Sequence, residues 1–218
     1  MVIMYQFMVI LQVLAVFLLV FSLVYVFRVG SSYMHKLMLT FTVTELVHNL
    51  GYLLELLAKT EQEALLAVKV EYLGSSLVAI LFMMFIYSYC GRKENLILER
   101  VLLLCGCAVI LMVWTNSVHE LYYKEVEFID SGVFLHLKLH YGPGFYFYML
   151  TCLVIPWAIS VFILIKSAQK TKNNKRSGKL KVIIAGATSA IAILFLYVLS
   201  HSIPHFLSAS SSVIYALQ

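Results

Sequence analysis

The sequence predicts an all-α polytopic membrane bundle. Six apolar spans are visible, a small external β-hairpin separates spans four and five, and a seventh helix is expected beyond Gln218. Three observations carry this. Of 218 residues, 62% are hydrophobic and only 12% charged, where a soluble domain carries about 25% charged residues. The apolar residues gather in runs near the ~20 residues that a helix needs to cross a bilayer, without the alternation of barrel strands. The third observation is a cytoplasmic basic loop, residues 166–181, that orients the whole chain. Its Lys166, Lys170, Lys172, Lys175, Arg176, Lys179 and Lys181 face no acidic residue within it.

The first span, Tyr5–Phe27, has neither a basic stretch before it nor a small-residue cleavage site after it, so it reads as a retained helix rather than a signal peptide. Spans two to six follow as Lys36–Ala58, Ala64–Cys90, Leu96–Thr115, Phe145–Ile165 and Leu180–Ile203. Pro156 is expected to kink the fifth. Between spans four and five, the runs Glu120–Ile129 and Val133–His140 alternate in part, through Val126 and Phe128 and then Val133, Leu135, Leu137 and Leu139. Asp130-Ser131-Gly132 between them is a turn signal, which predicts a hairpin lid within residues 117–144. After Pro204 comes a Ser-rich piece, Ser208–Ser212, and then apolar Val213–Leu217, the expected approach to the seventh helix.

Short loops rich in Lys and Arg stay on the cytoplasmic side, because they translocate poorly and the inner leaflet is anionic. Alternating sides from the basic loop puts twelve of the 16 basic residues inside and four (Lys59, Lys69, Lys124, Lys138) outside. The N-terminus is therefore expected outside, in a multi-pass protein of the plasma membrane. A nucleic-acid-binding loop is the weaker reading, since its flanking helices would be buried in lipid. The cysteines Cys90, Cys105, Cys107 and Cys152 lie inside or at the ends of apolar segments, where they serve as small apolar fillers rather than a disulfide framework.

Ionisable groups inside a span are costly and read as functional by default. Glu45, His48, Asn49, Tyr52 and Glu55 fall on one stripe of the second span. Such a stripe either lines a cavity or glues helices together by hydrogen bonds. Glu71 enters the third span and needs a proton or a cation. Gly74-Ser75-Ser76 behind it suits close helix packing. The alternating topology brings Tyr52, Glu55, Glu71, Tyr72, Trp114, Asn116, His119, Tyr146, Tyr148, Tyr197, His201 and His205 to the outer helix ends. Part of that set is an ordinary aromatic belt. The rest suggests an outward-facing ligand site between helices. The i,i+4 pairs His201/His205 and His136/His140 raise a zinc site, but Pro204 ends one helix and the other pair falls in a predicted strand. No metal, cofactor or catalytic residue is expected, and no phosphate loop or hydrolase motif occurs.

Around spans three to five the chain resembles the N-terminal seven-helix membrane region of bacterial sensor histidine kinases, also found ahead of some diguanylate cyclases. The matching pieces are Glu71-Tyr72-Leu73-Gly74 entering span three, the aromatic exit through Phe85 and Tyr87, Thr115-Asn116-Ser117-Val118-His119 closing span four, and Gly142–Tyr148 opening span five. The resemblance implies one sensory domain over residues 1–218, with Glu71, Tyr72, Asn116 and His119 as family-typical residues on the outer side. It departs in lacking a proline in span three, and these residues hold no phosphoacceptor histidine or ATP-binding motif. The expected partners are membrane lipid, an unknown small ligand, a cytoplasmic kinase or cyclase output domain and, in a homodimer, a second copy; nucleic acid is not expected. The alternatives are a small transporter or proton relay using Glu45, His48, Glu55 and Glu71, and a membrane zinc hydrolase.

Overall fold

The computed structural model describes residues 2–93, 95–130, 135–171, 178–186 and 188. Four long helices come first: α1 (Val2–Val29), α2 (Tyr33–Leu57), α3 (Glu61–Tyr89) and α4 (Leu96–Trp114). A single turn, α5 (Asn116–His119), leads into the hairpin strands β1 (Tyr123–Asp130) and β2 (Leu135–Tyr141). The chain returns through α6 (Pro143–Tyr148), a wide π-helical turn (Met149–Val154) and α7 (Ile155–Lys170). Among the described residues, five helices have the length and apolarity of membrane spans: α1 to α4 and the continuous stretch Pro143–Lys170. The predicted sixth span lies mostly outside the described residues; its start is helical over residues 178–186.

Local signals in the sequence set the helix starts. Ser32, Thr60 and Asn95 sit just before α2, α3 and α4, and each side chain accepts the N–H of the third residue on: His35, Glu63 and Leu98. Glu63 also reaches back to the Lys59 N–H at 2.8 Å, so the α2–α3 turn is closed from both directions.

The chain divides into two compact units, residues 1–160 and 161–218. In the first, α3 is the central helix. More than half of its most apolar stretch is buried, whereas no residue in that of α1 is fully buried, as suits a helix with a face toward lipid. Ala64, Val68, Tyr72, Ile80 and Met83 of α3 pack with Leu102, Val109 and Val113 of α4, and with Tyr122, Leu137, Tyr148 and Cys152. Helices α2 and α3 touch backbone to backbone. A Cβ on Gly74 would collide with the Thr44 carbonyl and the His48 amide, and one on Gly51 would collide with the Glu71 backbone. Association in lipid depends on such close packing, because burial from water contributes nothing there. The expected packing role of Gly74 is what the structure shows.

The hairpin is antiparallel, pairing Val126 with Leu139 and Phe128 with Leu137. Those four apolar side chains lean on the core. On the opposite face Glu127 pairs with Lys138 at 3.0 Å, and the ammonium holds its carboxyl below the usual carboxylate range. The predicted turn residues 131–134 lie outside the described residues. At Pro156 the sequence predicts a kink, and the structure shows widened turns just ahead of it, with the Ile155 N–H reaching back to the Leu150 carbonyl. Pro156 cannot donate to Cys152 and its ring crowds that carbonyl; the wider turn accommodates both. In the second unit, the Lys166 ammonium lies 4.5 Å over the Phe162 ring.

Candidate functional site

The polar residues singled out in the sequence fall, where they are described, on the α2–α3 pair and on the loop that leads into the hairpin. They form three arrangements.

The stripe on α2 divides between two neighbours. Asn49 turns to α1: Gln12 Nε2 donates to the Asn49 carbonyl at 2.8 Å and to its Oδ1 at 3.0 Å, while Asn49 Nδ2 donates to the Glu45 carbonyl at 2.8 Å and to its Oε2 at 3.4 Å. Tyr5 Oη adds a bond to the Leu56 carbonyl at 3.0 Å. His48 turns instead to α3, with Nδ1 3.5 Å from Glu71 Oε1. Glu71 thus lies beside an imidazole from the neighbouring helix, with no hydrogen bond between the two side chains, and Lys69 takes no part. Glu55 lies two turns beyond His48 on α2. Tyr52 is 38% exposed.

The second arrangement is a knuckle between α4 and β1. Asn116 is buried and its amide is fully engaged: Nδ2 donates to the Tyr123 carbonyl at 2.7 Å, and Oδ1 accepts from the Tyr122 and Tyr123 N–H groups at 2.8 and 3.2 Å. His119 caps the same turn. Its Nδ1 accepts the Leu121 N–H at 3.0 Å, and its Nε2 lies 3.0 Å from Thr115 Oγ1. The Thr115 hydroxyl donates to the Leu111 carbonyl at 2.6 Å, so the network assigns the proton on His119 to Nε2. Glu120 then turns the chain with φ at 52°. Gly142 and Gly144 receive the knuckle: their N–H groups donate to the Tyr122 and Leu121 carbonyls, both at 2.8 Å, and a Cβ on Gly142 would collide with the Leu121 carbonyl. At the same level Trp114 Nε1 donates to the Lys69 carbonyl at 3.3 Å.

The third arrangement is an aromatic joint. The Tyr72 ring stands edge-on to Tyr122 at 5.0 Å and to Tyr148 at 5.2 Å, and Phe145 lies 6.1 Å from Tyr122 and 3.7 Å from Tyr141. These contacts join the helix that carries Glu71 to the knuckle and to α6. Burial, and next the nearby Tyr148, push the Tyr122 phenol far above its ordinary range, so it stays a neutral hydroxyl.

Of the residues expected at an outer site, Glu71, Tyr72 and Tyr148 come together, with His48 of the α2 stripe beside Glu71, whereas Asn116 and His119 spend their polar atoms on their own loop. His201, with Tyr197 and His205, lies outside the described residues. Sequence reasoning passed over Tyr122, which no solvent reaches, and Glu99, which is buried in the first turn of α4. Ser75 was read only as packing. A signal for Tyr122 exists in the spacing Asn116…Tyr122-Tyr123 ahead of Gly142-Pro143-Gly144, but it takes the knuckle geometry to interpret it. Among the described residues, no three His, Cys, Asp or Glu side chains are grouped to hold a metal ion.

Five apolar helices, and polar side chains on the α2–α3 pair and on the loop into the hairpin, define a multi-pass membrane protein. Its residues 11–217 match the description of the N-terminal 7TM region of histidine kinase, and the chain belongs to that family. No curated protein and no solved structure matches it significantly. The family makes this chain a membrane sensory input module, which in its parent protein partners a cytoplasmic output domain.

Proposed function

We propose that the module reads a small ligand, a lipid or a membrane state on the extracytoplasmic side, with its N-terminus on that side. It relays the result to a kinase or cyclase output domain across the membrane. The observation that carries this reading is the position of Tyr72. It follows Glu71 in the chain, and its ring touches both the hairpin knuckle and α6. Whatever displaces the hairpin therefore acts on the helix that holds the His48–Glu71 pair.

Signalling requires a stimulus with different affinities for two helix arrangements. Helix shifts of about 1–2 Å are the usual scale of such transitions. The tight α2–α3 contact favours movement of that pair as one body, against α6 and the hairpin. A transporter is less well supported: the half of α3 beyond Leu77 carries Ala79, Ile80, Leu81, Met83 and Ile86 into the core and offers no polar path. The test is a phosphorylation assay on the module joined to its histidine kinase. Glu71→Gln is expected to abolish the stimulus response while leaving the protein in the membrane, and His119→Ala to do the same by loosening the knuckle against which Tyr72 packs. Normal signalling from both variants would discard the site.

A further inference from the structure

The end of the bundle away from Glu71 carries a different surface. Tyr5 meets Leu56 while Gln12 meets Asn49, Gly51 meets Glu71 while Gly74 meets His48, and Trp114 meets Lys69. Helices α1 to α4 therefore run alternately up and down, and the α1–α2 and α3–α4 connections share one end. Among the described residues of the first unit, the charged side chains exposed at that end are all basic: Arg28, Lys36, Lys93 and Arg100. Glu99, beside Arg100, is buried, and Glu94 lies outside the described residues. The Glu71 end instead exposes Glu61, Glu63 and Glu120 alongside its lysines.

From this basic end α4 presents one apolar face to its surroundings. Its Leu102, Gly106, Val109 and Val113 are buried, whereas Ile97, Val101, Leu104 and Leu111 are each at least half exposed. Helical spacing sets those four on one stripe, and Arg100, three residues after Ile97 and four before Leu104, lies on the same side. The stripe rises about 21 Å from Ile97 to Leu111, against about 15 Å for the hydrocarbon of one leaflet. An acyl chain can thus lie along it for its whole length, while the Arg100 stem carries its guanidinium up to the headgroup level. Lys93 stands at the same end. Gly91, with φ at 61°, and the 3.0 Å bond from the Arg92 N–H to the Tyr87 carbonyl end α3 sharply, so that Lys93 leaves the helix just ahead of α4.

We propose that the exposed face of α4 is a docking surface for an anionic glycerophospholipid, its phosphate held by Arg100 and Lys93 and its acyl chains laid along Ile97, Val101, Leu104 and Leu111. Charge and apolarity together select that occupant. The stripe takes the chains, and a guanidinium and an ammonium take the phosphate. A zwitterionic headgroup would bring its own cation to a place already basic. A second copy docked symmetrically by the same face would set Arg100 beside Arg100. Bound there, the lipid joins the end of α3 to α4 and stabilises the folded chain by mass action. The surface lies at the other end of the bundle from the Tyr72 joint, so its loss would leave the sensory reading untouched.

The test is thermal unfolding of the whole chain in nanodiscs of phosphatidylcholine, with and without phosphatidylglycerol. Phosphatidylglycerol is expected to raise Tm by several degrees. The double variant Lys93→Gln, Arg100→Gln should lose that rise. Lys59→Gln with Lys124→Gln, the same charge loss at the other end, should keep it. Added salt should shrink the rise. No rise in the parent chain, or one that survives Lys93→Gln with Arg100→Gln, would overturn the proposal. Glycerol 1-phosphate added to the phosphatidylcholine nanodiscs is expected to leave Tm unchanged; an equal rise would mean a free-phosphate site that makes no use of the apolar stripe, and would also overturn it. Should the double variant fail to fold, a phosphatidylglycerol bearing a diazirine in its acyl chain gives the decision on the parent chain. Crosslinks are expected on residues 97–111, and more of them than with the phosphatidylcholine analogue. Labelling that spares α4 would mean that protein covers this face, and equal labelling by both lipids would mean that charge selects nothing; either result overturns the assignment.

Discussion

Asn116 shows how a single amide can decide where a hairpin sits. Its carboxamide replaces the backbone partners that Tyr122 and Tyr123 lack between α5 and β1. Removing it leaves two buried N–H groups and a carbonyl unpaired, at about 1–3 kcal/mol for each group that water cannot reach. Asn116→Ala is therefore expected to lower Tm and to speed amide hydrogen exchange across residues 121–130. Asn116→Asp keeps the acceptor and should fall between the two. Unchanged exchange in the alanine variant would show that the knuckle is held by other contacts. The sequence marks Asn116 as a residue of interest but points to a ligand. An amide at a helix end is equally suited to a guest or to its own backbone, and only the fold separates these uses.

The α2–α3 pair is the most legible element. A glycine followed by two serines in an apolar span signals close approach, and Gly74 meets the Thr44 carbonyl without a Cβ between them. Gly74→Val would drive a branched side chain into that backbone. It is expected to separate the two helices, break the 3.5 Å His48–Glu71 pair and lower expression of folded protein. A variant as stable as the parent on a detergent thermal-shift assay would contradict this packing. Less legible is the polar stripe of α2. Helical spacing places Glu45, His48, Asn49 and Glu55 at related angles, but the angle does not name the neighbour. Asn49 faces α1 because Gln12 lies opposite it, while His48 faces α3 because Gly51 and Gly74 let that helix approach. Tyr122 escaped notice for a related reason: a tyrosine near a span end ordinarily belongs to the interfacial belt, and here it is an internal wall.

At the scale of the whole molecule, hydropathy and charge fixed most of what was readable: helical class, five of the spans, the hairpin and a membrane address. The distribution of lysine and arginine predicts the orientation, with twelve of the 16 expected on one side. That asymmetry predicts that a cysteine at Lys175, in a background without the four native cysteines, is shielded from an impermeant maleimide in intact cells. It should become reactive once the membrane is opened. Labelling from outside would invert the topology and place the Glu71 end of the bundle in the cytoplasm.

The wide turn over Met149–Val154 has a bearing on how this helix is drawn on paper. Such a turn holds one residue more than regular winding needs, and each residue of an α-helix advances the azimuth by about 100°. A helical wheel ruled straight through Phe145–Ile165 therefore goes out of phase partway along. It would rotate Trp157 away from Phe82, whose ring it meets at 4.6 Å. Any homologue threaded onto this chain needs its own insertion or deletion counted within those six positions, or every face assigned downstream of them will be misdirected by more than a quarter of a circle.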